Sequence, residues 1–168
     1  MTQPTTTSPS FPYLRRGLLL AAILLPLLGG MAVAQTGGMV TQASVHSAPE
    51  TMKRLRDAVV AIGWVVFGEV DHAAAARTAG LELRTRTVVL FGNPNAGTPP
   101  MRSHPSLALD LPMRILVWED DQGRVMLTRS TGDDVAERVF ARHGIAIDAQ
   151  GRAGTEKVLG GLARKATE

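Results

Sequence analysis

The chain has 168 residues, 18 Lys+Arg against 15 Asp+Glu, and no cysteine. Without cysteine there are no disulfides, no thiolate metal sites, no cysteine nucleophile and no haem attached through Cys. Arg15 and Arg16 stand in an acid-free leader, so the remainder carries 16 basic against 15 acidic residues, interspersed, with few aromatics. That balance argues against nucleic-acid binding, which needs a basic stripe or patch.

Residues 1–14 are uncharged and rich in Ser, Thr and Pro, and Arg15-Arg16 then precede an apolar run from Leu18 to Leu28. Gly29-Gly30-Met31 leads into Ala32-Val33-Ala34-Gln35. A positive n-region, a short apolar h-region and an A-x-A box predict a signal peptide over 1–34, cleaved after Ala34. The run is too short to span a bilayer comfortably. Membrane contact is therefore expected only through the leader, and the expected destination is the periplasm, or secretion. Arg15-Arg16-Gly17-Leu18-Leu19 also resembles a twin-arginine signal, although Leu14 stands where Ser or Thr is usual; the general secretory route is the expected one.

Residues 35–148 read as one α+β domain, with 149–168 as a C-terminal tail that can be helical. Met39 to Val45 is strand-like. Ser47 with Glu50 three positions on is a capping box, and Met52, Leu55, Val59 and Ile62 follow at helical spacing until Gly63. Trp64 to Val70 reads as a strand. Asp71 caps a short Ala-rich helix, His72 to Ala79, and Thr85 to Phe91 reads as a central strand. Residues 92–112 hold five prolines and read as an ordered loop, in which Thr98-Pro99 is an N-cap with proline at the first helical position. Met113 to Trp118 and Val125 to Thr128 form a hairpin about Asp120-Asp121-Gln122-Gly123. Thr131 caps a second amphipathic helix with Val135, Val139 and Phe140 inward, ended by Gly144. Residues 149–155 look loose, and Glu156 to Lys165 reads as a terminal helix. The order β-α-β-β-β-β-α predicts an antiparallel sheet backed by helices.

The segment Phe91-Gly92-Asn93-Pro94-Asn95-Ala96-Gly97-Thr98-Pro99-Pro100-Met101, with Leu107-Ala108-Leu109-Asp110-Leu111-Pro112 after it, concentrates turn formers and polar groups beside a central strand. It is no P-loop, since the G-x-x-x-x-G-K spacing is missing. These two stretches, with Val70-Asp71-His72-Ala73-Ala74-Ala75-Ala76, resemble the bacterial domain-of-unknown-function family 302 over roughly residues 38–147. The resemblance implies a single α+β domain with a TATA-binding-protein-like sheet. It implies no DNA binding, because fold does not carry function, and the family has no established activity.

The expected binding site comprises Asp71, His72, Phe91, Asn93, Gly97, Thr98, Met101 and Asp110, taking a small-molecule ligand. No catalytic residue, metal site or cofactor is assigned. His72, His104, Met101 and Met113 have ligand chemistry suited to Cu(I), but no M-x-x-M or H-x-H cluster occurs, and Met is more often core filler. His46 and His143 read as incidental. Ser103, Ser106 and Ser130 lack a G-x-S-x-G context, and the acidic triplet at 119–121 reads as a solvated turn without EF-hand spacing. Three functions fit: a periplasmic ligand-binding or accessory domain, an enzyme of undefined class with His72 as acid/base, or a self-associating domain, such as a homodimer.

Overall fold

The computed structural model describes residues 33–168. The predicted leader lies outside them apart from Val33 and Ala34, which stand in the first strand. Six strands form one antiparallel sheet: β1 (Val33–Thr36), β2 (Met39–Ala43), β3 (Val65–Asp71), β4 (Arg86–Gly92), β5 (Met113–Glu119) and β6 (Val125–Ser130), in the order β1-β2-β6-β5-β4-β3. The helices are α1 (Ala48–Ala61), α2 (His72–Thr78), α3 (Pro94–Ser103), α4 (Gly132–Asp134, continued by a π-helical turn over Val135–Phe140) and α5 (Ala149–Thr167). The α+β class and the antiparallel sheet backed by helices are those expected from the sequence; β1 adds one strand.

Alternation along the strands decides which residues enter the core. Val89 and Phe91 of β4, Ile115 and Val117 of β5 and Leu127 of β6 point inward and are fully buried. Helix α1 meets them with Met52, Leu55 and Val59 of the expected stripe and with Ala58, while Ile62, expected on the same face, is the C-cap and is exposed. Ser47 caps it, its Oγ accepting from Glu50 N at 3.4 Å. Helix α5 completes the layer with Leu159, Leu162, Ala163 and Ala166. It is tied to β2 by Gln42 Nε2 donating to Thr167 Oγ1 at 2.6 Å, a buried bond between groups that would be costly to leave unpaired.

Two segments differ from expectation. Residues 149–155 are the first turns of α5 rather than a loose stretch, capped by Asp148, whose Oδ1 accepts from Gly151 N at 2.7 Å. The glycines at 151 and 154 hide this helix from propensity reasoning, since each costs about 1 kcal/mol against alanine. Burial of the helix's other end against α1 and the sheet supplies what local propensity lacks. Residues 94–103 are likewise helical rather than a loop. Asn93-Pro94, not Thr98-Pro99, is the start, with Asn93 Oδ1 accepting from Asn95 N at 3.0 Å and Pro94 in the first turn. Pro99 and Pro100 lie inside α3 and donate nothing. The carbonyls they leave free belong to Asn95 and Ala96, both exposed to water.

Candidate functional site

A groove of about 560 Å³ opens where α3, α4 and the first half of α5 meet the end of β4 and the start of β5. Its space comes from missing side chains. Gly97 and Ala96 on α3 face it from one side, Gly151 and Gly154 on α5 from another. A β-carbon at Gly154 would meet nothing within 4 Å, and one at Gly97 would only touch Leu111 and Met101 at 3.6 and 3.7 Å. The remaining walls are apolar: Trp64 and Phe67, Met101, Leu111 and Met113, then Val135, Phe140 and Val158. The π-helical turn of α4 matters here. Its i→i+5 spacing sets Phe140 above Val135, so both reach the groove. Trp64 is held against the core by stacking on Phe91, with ring centroids 6.3 Å apart. Phe67 lies at the irregularity in the β3–β4 register between Val66 and Gly68, which turns its ring out of the strict alternation. The volume lies within the range of small-molecule sites.

A second cavity of about 290 Å³ adjoins the first, and Met113, Val135 and Leu159 line both. Its character is opposite. Arg114, Arg138 and Arg142 surround it, with Asp110 and Asp134 at its wall. Asp134 Oδ1 takes Arg138 Nε at 2.6 Å, and Asp134 Oδ2 accepts from Ser130 Oγ at 2.8 Å. Asp110 Oδ1 takes Arg142 Nη1 at 3.2 Å. Asp110 Oδ2 lies 2.6 Å from His143 Nε2. An ionised carboxylate only accepts, so Nε2 is the donor of that pair; on the other side of the ring Nδ1 lies 2.8 Å from Ser106 Oγ. The chain Ser106–His143–Asp110 joins the helical turn Pro105–Leu109 to the end of α4.

The expected site residues divide into three groups. Asn93, Gly97 and Met101 line the apolar groove. Phe91 lies fully buried behind it and supports Trp64, while Thr98 is exposed on α3 and absent from its walls. Asp110 belongs to the basic cavity. Asp71 and His72 stand apart. The register pairs Asp71 with Thr87, whereas Asn93 follows Gly92, which pairs with Val65. The two ends of this hairpin are roughly 20 Å apart at strand rise. Asp71 caps α2, its Oδ1 accepting from Ala74 N at 2.9 Å, and His72 is exposed in the first turn. For the same reason His72 does not meet Met101, Met113 and His104; the two methionines lie on the groove and His104 at the end of α3. Among the described residues no group of three or more His, Asp or Glu is placed to hold a metal ion.

From the sequence His143 read as incidental and Ser106 as lacking a nucleophile's context, and the three arginines went unmarked. His143 offered only its place in a helix's last turn. Arg114, Arg138 and Arg142 carried a usable signal: the last two are four apart on one helix face, and Arg114 opens a strand.

The fold and the two adjoining cavities define a small α+β domain with a preformed concave site. The family profile "Domain of unknown function DUF302" matches residues 40–159. The chain belongs to that family. The crystal structure of an uncharacterized conserved DUF302 protein from Bacillus stearothermophilus is similar to it with a TM-score of 0.64 at 15% identity, covering 78% of this chain and 99% of that one. Two curated relatives are each called "Fluoride-specific ion channel FluC 1". The one from Brucella suis biovar 1 is 42% identical over 108 residues, which are 64% of this chain and 42% of the relative. The one from Brucella abortus biovar 1 is also 42% identical over 108 residues, 40% of its length. The chain thus spans about two fifths of the curated relatives it matches.

Proposed function

We propose that this chain is a non-enzymatic ligand-binding or accessory domain, exported to the periplasm, whose small-molecule ligand occupies the groove between α3 and α5. One observation carries the reading: a cavity of about 560 Å³ whose walls are mostly apolar side chains and glycines. A concave, largely apolar pocket of this size, bordered by aromatics, has the character of a small-molecule site. Trp64 on its wall is a built-in reporter. Titrating purified protein with an apolar probe such as 1-decanol should change Trp64 fluorescence and raise the melting temperature. A ligand at about 100 times its Kd adds roughly 2.7 kcal/mol. Unchanged fluorescence and melting across alkyl and aromatic probes would sink the proposal.

The relatives' names support the accessory half of this reading. A channel needs spanning segments, and no helix of the described residues is long and apolar enough to cross a membrane. We therefore read the shared domain as an appendage to a pore made by the rest of those longer proteins. Export rests on Arg15-Arg16, the run Leu18 to Leu28 and Ala32-Val33-Ala34. Amino-terminal sequencing of the protein from a periplasmic extract should begin at Gln35. Intact Met1 in a cytoplasmic fraction would refute export.

A further inference from the structure

We infer that the ligand is a single-chain amphipathic anion, an alkyl carboxylate, with its tail in the apolar groove and its head among Arg114, Arg138 and Arg142. The inference rests on the groove being a binding site and adds the chemistry of what fills it. Two cavities of opposite character share Met113, Val135 and Leu159 as lining. An occupant of the groove therefore ends beside the basic cavity.

The charges there do not cancel. Arg138 and Arg142 each hold one carboxylate, while Arg114 is in no ion pair among the described residues. Its Nη2 donates only to the Asp110 main-chain oxygen, at 3.1 Å. The two carboxylates are also committed elsewhere, Asp110 to His143 and Asp134 to Ser130. Both are covered, at 15% and 10% side-chain exposure, whereas Arg138 and Arg142 are 72% and 58% exposed. The acids thus form the wall and the guanidiniums the mouth. Guanidinium forks suit a carboxylate, which accepts two parallel N–H bonds. A free inorganic anion would satisfy the arginines but leave the groove unfilled, and a neutral alkane would do the reverse.

Calorimetric titration of the purified protein with decanoate, 1-decanol and acetate tests this. Decanoate should bind at least tenfold more tightly than decanol, and acetate should not displace it. Arg114→Gln should bring decanoate down toward decanol's affinity without changing decanol's own. Arg138→Gln should act in the same direction, which guards against a folding artefact in either variant, and melting curves confirm that each is folded. Equal affinity for decanoate and decanol, unmoved by either substitution, overturns the anionic head group while leaving the apolar groove as a binding site. Tight acetate binding that decanoate does not improve upon also overturns it. Failure of both decyl compounds to bind removes the groove reading and this inference together.

Discussion

Arg129 of β6 and Glu156 of α5 face each other with two contacts, Nη2 to Oε1 at 2.6 Å and Nη1 to Oε2 at 3.1 Å. The arginine side chain is only 7% exposed, and Glu156 Oε2 also accepts from Gly132 N at 2.8 Å. One carboxylate thus ties together the sheet, the start of α4 and the groove-lining half of α5. The Arg129 guanidinium, hydrogen-bonded to it, holds the Glu156 carboxyl below its ordinary value near 4.5.

A lowered carboxyl pKa contributes stability that is present above the ordinary value and is lost as pH falls through the folded value. Wild type should therefore melt at a constant temperature from neutral pH to about 5 as far as this group is concerned. Its advantage over Glu156→Gln should shrink below the ordinary range. At neutral pH Glu156→Gln should cost about 1–3 kcal/mol, because it leaves a buried guanidinium poorly satisfied. Chemical denaturation of both proteins at pH 7 and pH 4 measures it. A difference that does not fall with pH would contradict the assignment.

Gly132 and Gly154 make an opposed pair. A β-carbon at 132 would lie 2.2 Å from the Arg152 main-chain oxygen and 2.9 Å from Glu156 N, both in the backbone of α5. Only a glycine allows that approach, so Gly132→Ala should destabilise by about 1–3 kcal/mol, as overpacked sites do. A β-carbon at 154 meets nothing within 4 Å. Gly154→Ala should stabilise by about 0.5–1 kcal/mol through helix propensity. Gly154→Leu should keep that gain while filling the groove, so the variant should melt higher yet lose ligand. Retained binding in a stabilised Gly154→Leu protein would place the ligand elsewhere.

His143 is held by Ser106 and Asp110 at 2.8 and 2.6 Å. His143→Ala should cost about 1–3 kcal/mol by stranding partly covered polar partners. Ser106→Ala should cost less, since that hydroxyl is exposed. Urea titrations of the two variants should rank them in that order; equal effects would mean that the histidine does not organise the turn.

Asp71 and His72 separate the enzyme reading from the binding reading. Loss of the cap in Asp71→Ala should cost about 1 kcal/mol. His72→Ala should leave both stability and groove binding unchanged, because His72 lies exposed at the far end of the β3–β4 hairpin. Loss of ligand binding in a folded His72→Ala protein would bring this residue back into the site.

Much of the scaffold was legible in the chain because its signals are local. Ser47, Asp71 and Thr131 each cap the helix they were expected to cap. The spacing of Met52, Leu55 and Val59 named the buried face of α1. Gly144, left-handed at φ 76°, ends the α4 segment where expected. The family resemblance, carried by the Phe91–Met101 and Leu107–Pro112 stretches, is met by a profile match over 40–159. Even part of the groove was marked, since Asn93, Gly97 and Met101 line it.

What tertiary structure alone decided depends on distance in sequence. Helix α5 starts at Ala149 despite its glycines because its later residues bury against α1 and the sheet, a gain that no local propensity contains. The groove exists because Gly97 and Gly154 oppose each other from different helices, 57 positions apart, and each glycine alone reads only as a flexible residue. Asp110 met His143 through the packing of the turn Pro105–Leu109 against the end of α4, and Asp71 lay far from Asn93 through strand register. Local chemistry in the sequence determined which residues could cap, turn or bury. Only the fold's long-range pairing determined which of them share a cavity, since a site is a matter of proximity and proximity between remote residues is set by the whole packed core.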